Sequence, residues 1–123
     1  MQDEKGTVPI MDLKHEKMGE ITLIQVSGSI KMGDSAYRFS EYLEKVLQVD
    51  SIKKVLLDMS EINYMDSMGL GELIGHLQRF RDQGGRIGLV KPTKRVFTLL
   101  QLSGLDEVFP IFEDRQAALA AWG

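Results

Sequence analysis

The chain has 123 residues, 43% of them hydrophobic and 27% charged, with 18 acidic and 15 basic side chains for a net charge of −3. That length suits a single domain, and the balance excludes a disordered chain or a disulfide-stapled mini-protein. With no cysteine, disulfides, thiolate metal sites and cysteine nucleophiles drop out, and the interspersed charges argue against direct nucleic-acid binding. Residues 1–20 are too polar for a signal peptide and no later apolar run could cross a bilayer, so a cytoplasmic protein without membrane insertion is expected.

Residues 1–9 are expected to form a loose N-terminal segment and 10–123 a single domain. Val8 to His15 alternates weakly, Pro9 suggests an edge position, and Glu16 to Glu20 could turn the chain into Ile21–Val26, a β-branched strand. From Ser35 the apolar period becomes helical, with Ala36, Phe39, Leu43, Val46 and Leu47 on one face and Asp34 or Ser35 as the N-cap. A polar break at Gln48–Ser51 leads to a short buried strand, Lys54–Asp58, followed by a loop from Met59 to Asp66.

Ser67 to Arg81 again has helical spacing, with Leu70, Leu73, Ile74, Leu77 and Phe80 as its stripe, and Gly84-Gly85 ends it. Arg86–Val90 is the next strand, Thr93 caps a helix running to about Ser103, and Gly104 stops that helix. Val108–Phe112 is a last short strand and Asp114 opens a terminal helix with Ala117, Ala118, Leu119 and Trp122. The alternation predicts an α/β domain with a mixed central sheet of about five strands and about four helices.

The informative stretch is Leu56 to Gly71, where a strand ends in Asp58, a loop follows and a helix begins at Asp66-Ser67-Met68-Gly69-Leu70-Gly71. Ser67 falls at the cap or first turn, where free N–H groups and the helix dipole favour an added anion. Gly69 and Gly71 sit in the first turns although glycine there costs about 0.5–1 kcal/mol against alanine. Two explanations stand side by side: an ordinary N-cap with glycines relieving crowding against the sheet, or a docking surface around a modifiable serine.

The sequence Asp-Ser-x-Gly-Leu-Gly after an apolar strand ending in Asp resembles the phosphorylation motif of STAS-domain anti-sigma factor antagonists. The resemblance runs from about Ile10 to the terminal helix and includes Gly85–Val90 and Leu102-Ser103-Gly104-Leu105. It implies a STAS-like fold, phosphorylation at Ser67, and a non-enzymatic binding protein without cofactor. It also implies partner contacts at Met65, Asp66, Ser67, Met68, Gly69, Gly71, Ser29 and Lys31. Its implied partners are an anti-sigma factor with serine kinase activity, which supplies the ATP, and a serine phosphatase. Met68 replaces the usual second hydroxylic residue, and Gly28-Ser29-Ile30-Lys31 stands where relatives have an acidic loop, which bears on the identity of the kinase.

His15, on the first strand, and His76, on the outer part of the second helix, have no partners at metal-ligand spacing, so solvated or packing roles are expected. Lys94 and Arg95 place positive charge in the first turn of a helix, against its dipole, as a solvated face or as a surface for an acidic partner or phosphate. A two-component receiver fails because Ser27–Lys31 has no carboxylate to hold magnesium. An enzyme would need a nucleophile–base pair or a phosphate-binding loop, and neither motif is present. A STAS subunit of a membrane transport assembly for lipid or anion shares fold and motif and stays open as the alternative.

Overall fold

The computed structural model describes residues 11–31, 33–49 and 52–122, with Asp34 by its backbone alone. The expected loose terminus, the edge role of Pro9 and any cap from the Asp34 side chain lie outside the described residues. β1 (Met11–Met18) and β2 (Ile21–Ile30) form the predicted hairpin, antiparallel, with Gly19 taking φ +67° in the turn. β3 (Lys54–Met65), β4 (Arg86–Val90) and β5 (Ile111–Phe112) add in parallel, so the sheet order is the sequence order, β1-β2-β3-β4-β5.

Parallel neighbours need crossovers of one hand, and a sheet that always grows in one direction collects those crossover helices on one face. α1 (Asp34–Leu47), α2 (Ser67–Asp82) and α3 (Lys94–Leu102) accordingly share a core with the sheet, through Phe39, Leu43, Leu73, Leu77, Phe80, Val96 and Leu100 against Ile24, Val26, Val55, Leu57 and Leu89. α4 (Arg115–Trp122) covers part of the other face, where Ala118 and Trp122 pack on Ile21, Leu23, Leu56 and Val90. Asp58 also points to that side: Arg115 Nε donates to it at 2.9 Å and Ser60 N–H at 3.0 Å. Burial would push the Asp58 carboxyl up, but these donors outweigh it and hold the group below the usual carboxylate range.

Four expectations change. β3 does not stop at Asp58 but runs to Met65, because Ser27–Ile30 of β2 continue to pair with Glu61–Met65. Two register shifts insert an extra β3 residue each, so the buried side chains Met59, Ile62 and Met65 recur at intervals of three and hide the strand from an alternation test. α1 is capped by Gly33 at φ +105° without a side-chain hydrogen bond, and Ser35 Oγ instead accepts from Lys31 N–H and donates to the Lys31 carbonyl. β5 is only Ile111–Phe112, since residues 105–107 turn as a 3-10 helix, the Leu105 carbonyl takes the Val108 and Phe109 N–H groups, and Pro110 has none to give.

His76 is the fourth. It is 3% exposed between α1 and α2, not on the outer side of its helix. Its spacing with Leu73, Leu77 and Phe80 puts it on the buried stripe. Arg79, which can only donate, lies 2.9 Å from Nδ1, so Nδ1 accepts and Nε2–H donates to Ser40 Oγ at 2.8 Å. Burial first, then Arg79, keep the ring below its ordinary pKa against the opposing pull of Glu44 and Glu72.

Candidate functional site around Ser67

The end of β3 delivers the chain into α2 with the backbone already fixed. Asp66 N–H donates to the Ile30 carbonyl at 3.2 Å, and Asp66 is extended at φ −97° and ψ −176°, the conformation of an N-cap. Its carboxylate Oδ1 accepts from Gly69 N–H at 2.9 Å, and its carbonyl accepts from Leu70 N–H at 3.0 Å. Asp66 is therefore the cap and Ser67 the first helical residue.

The capping carboxylate leaves the serine hydroxyl uncommitted. Ser67 is exposed, and its Oγ takes part in no hydrogen bond among the described residues. The next residue, Met68, is 45% exposed, whereas Met65 is 4% exposed and packs in the core beneath the site. Met65 thus supports the serine and is not available as a contact surface.

The two motif glycines divide in the same way. A Cβ on Gly69 would lie 2.7 Å from the Ile30 carbonyl oxygen and 2.8 Å from Ile30 Cγ2, so glycine there permits the helix start to close on β2. Crowding against the sheet explains it, and Gly69 is buried rather than presented. At Gly71 a Cβ would meet nothing within 4 Å, and the residue is exposed. No packing requirement accounts for Gly71, which leaves a bare patch of helix one turn from Ser67.

Of the β2 residues, Ser29 pairs with Tyr64 and is half-buried, and Ile30 pairs with Met65. Lys31 follows directly, its backbone tied down by Ser35 and its side chain exposed. Sequence reasoning missed two neighbours. Thr93, recognised as the cap of α3 because it accepts from Val96 N–H, also donates to the Ile62 carbonyl at 3.2 Å and docks α3 against the end of β3. Tyr64 is 39% exposed and lies under the Arg95 guanidinium, whose carbon is 6.0 Å from the ring centroid. An aromatic in a stretch taken for a loop gave no sign of this.

Among the described residues no group of His, Asp and Glu could hold a metal ion, and no helix is long and apolar enough to cross a membrane. The arrangement offers a helix start with an exposed, uncommitted hydroxyl, suited to being modified and being bound.

The sequence matches the STAS domain family over residues 12–118. An anti-sigma F factor antagonist of Paenibacillus polymyxa is 27% identical over 77 residues, covering 63% of this chain and 66% of that relative. An anti-sigma factor antagonist from Mycobacterium paratuberculosis superposes with a TM-score of 0.80 at 25% identity, covering 90% of this chain and 92% of the other. The Bacillus cell fate determinant SpoIIAA in its phosphorylated form superposes with a TM-score of 0.73 at 17% identity, covering 91% of this chain and 100% of the other. The five-stranded mixed sheet, its four helices and the family match over nearly the whole chain together settle the classification: this chain belongs to the STAS domain family.

Proposed function

We propose that the protein is an anti-sigma factor antagonist that works by partner switching. With Ser67 free, the start of α2 docks on an anti-sigma factor that has serine kinase activity, and the sigma factor is released. The kinase brings ATP and modifies Ser67, so this chain is the substrate and not the catalyst. A serine phosphatase restores the binding form.

The observation that carries this reading is the exposed, uncommitted Ser67 hydroxyl at the first helical position, flanked by exposed Met68 and Gly71 on a backbone fixed by Asp66 and Ile30. Phosphorylation would add about −1.5 to −2 charge at that point. The names of its relatives and the phosphorylated SpoIIAA fold support the same reading.

A pull-down from the native host, read by mass spectrometry, separates this circuit from a STAS subunit of a transport assembly by the partner recovered. Incubation with the recovered kinase and ATP should add one phosphate, and Ser67→Ala should abolish it. Ser67→Asp should weaken binding more than about tenfold, because a desolvated, unmatched carboxylate at an interface costs several kcal/mol. Labelling at Ser60 or Thr93 instead, or undiminished binding by Ser67→Asp in calorimetry, would refute the assignment.

A further inference from the structure

Three cations stand at the end of the sheet that carries Ser67. Lys31 follows Ile30, whose carbonyl accepts from Asp66 N–H, and Lys94 and Arg95 open α3, which Thr93 ties to the end of β3. All three are exposed, and none forms an ion pair among the described residues. The first turn of α3 has no acidic residue, so Lys94 and Arg95 oppose the helix dipole without local compensation. The Arg95 guanidinium carbon lies over the exposed ring of Tyr64, 6.0 Å from its centroid, and that contact leaves its N–H donors unspent.

Asp66, the acid nearest Ser67, turns a carboxylate oxygen to Gly69 N–H as the helix cap. Asp58 and Glu61 of β3 open onto the cavity beside α4, together with Asp114 and Arg115. Lys31, Lys94 and Arg95 thus add exposed positive charge at this end of the sheet in a chain whose net charge is −3. We infer that Lys31, Lys94, Arg95 and the Tyr64 ring form a docking rim that takes an acidic segment of the anti-sigma partner. Charge complementarity selects the occupant, since a planar guanidinium with free donors fits a carboxylate in two-pronged fashion.

This inference rests on the proposed function and extends it to the mechanism of release. A phosphate on Ser67 would bring its charge into the same rim and compete, within the chain, with the carboxylates of the partner. Rim charges act mainly by steering encounter, so the effect belongs in the association rate and should fade with salt.

The test measures association of the purified partner kinase with the intact wild-type chain and with Lys94→Glu and Arg95→Glu, at low and high salt. Lys45→Glu, in the last turn of α1, serves as the control, and melting curves confirm that every variant is folded. At low salt each rim reversal should slow association about threefold to tenfold, the control should not, and the differences should shrink at high salt. Arg95→Lys should recover most of the rate, because it restores the charge. Rim variants that associate as fast as wild type while Ser67→Asp still weakens binding would overturn the rim and leave the switch standing. Equal rim-dependent binding of a duplex oligonucleotide would also overturn it, by showing a general polyanion surface. A wild-type chain that binds no kinase and is not phosphorylated at Ser67 would remove the proposed function and the rim together.

Discussion

Gly69 and Gly71 lie two residues apart at the same helix start, yet alanine should shift stability in opposite directions at the two. In an exposed helical position Gly→Ala gains about 0.5–1 kcal/mol, chiefly by reducing the freedom of the unfolded chain. A Cβ at Gly71 meets nothing within 4 Å, so that gain should appear in full. At Gly69 the same methyl would sit 2.7 Å from the Ile30 carbonyl oxygen. That oxygen accepts from Asp66 N–H and belongs to the β2 backbone, so it can retreat only by loosening the junction of β2 with α2. Overpacking of this kind costs about 1–3 kcal/mol, which exceeds the helix gain and leaves a net loss of about 1–2 kcal/mol. Urea titrations with a common m-value should therefore separate the two variants by about 2–3 kcal/mol, and melting temperatures by roughly 8–15 °C for a domain of this size. Gly69→Ala melting at or above wild type would refute the claim that this glycine exists for the approach of Ile30. The same pair probes function, because Gly71→Ala should bind the partner kinase less tightly while being the more stable protein.

Asp58 gives a pH dependence of known sign: its folded pKa lies below its ordinary value, so its contribution is present above the unfolded pKa near 3.9 and is lost as the pH falls through the folded one. Arg115→Ala should destabilise by about 1–3 kcal/mol at neutral pH and Asp58→Asn should flatten the acid limb, both read from chemical denaturation against pH. His76 also has a depressed folded pKa, so its neutral form adds stability above the unfolded value near 6.5 that is lost as the pH drops through the folded value. His76→Leu should remove that slope, and a wild-type imidazole that titrates in NMR at or above its ordinary pKa would contradict the Arg79–His76–Ser40 arrangement.

The parts legible in the sequence were those with a short-range physical signature. Thr93, Asp114 and the glycine-marked turn at Gly19 announce themselves locally, and Thr93 and Asp114 accept from Val96 and Ala117 N–H groups at the helix starts they were expected to cap. What escaped depends on partners distant in sequence. Residues 59–65 are a strand because Ser27–Ile30 pair with them, and the extra β3 residues destroy the alternation that would have revealed it. His76 is buried because α1 covers it, although its spacing with Leu73, Leu77 and Phe80 could have shown this. At the site, Asp66-Ser67 was readable as a cap, but only the position of Ile30 separates the packing role of Gly69 from the open surface at Gly71.

The length of β3 explains how a switch can sit here without burdening the fold. Pairing of β3 with β4 ends at Asp58 and Val90, so the strand continues to Met65 supported by β2 and by the Thr93 contact to Ile62. The serine is thereby carried past the main core while its backbone stays fixed. Asp66 spends its carboxylate on Gly69 N–H, the third helical residue, and leaves the N–H groups of Ser67 and Met68 without an intrachain acceptor among the described residues. A phosphate on Ser67 would stand next to those donors at the positive end of the helix dipole, where an anion is favourable by about 0.3–1 kcal/mol. Modification should therefore leave the domain as stable as before, and its whole effect should fall on the surface presented to a partner. A melting temperature that dropped on phosphorylation would mean that the phosphate disrupts the helix start, and that release works by local unfolding rather than by charge.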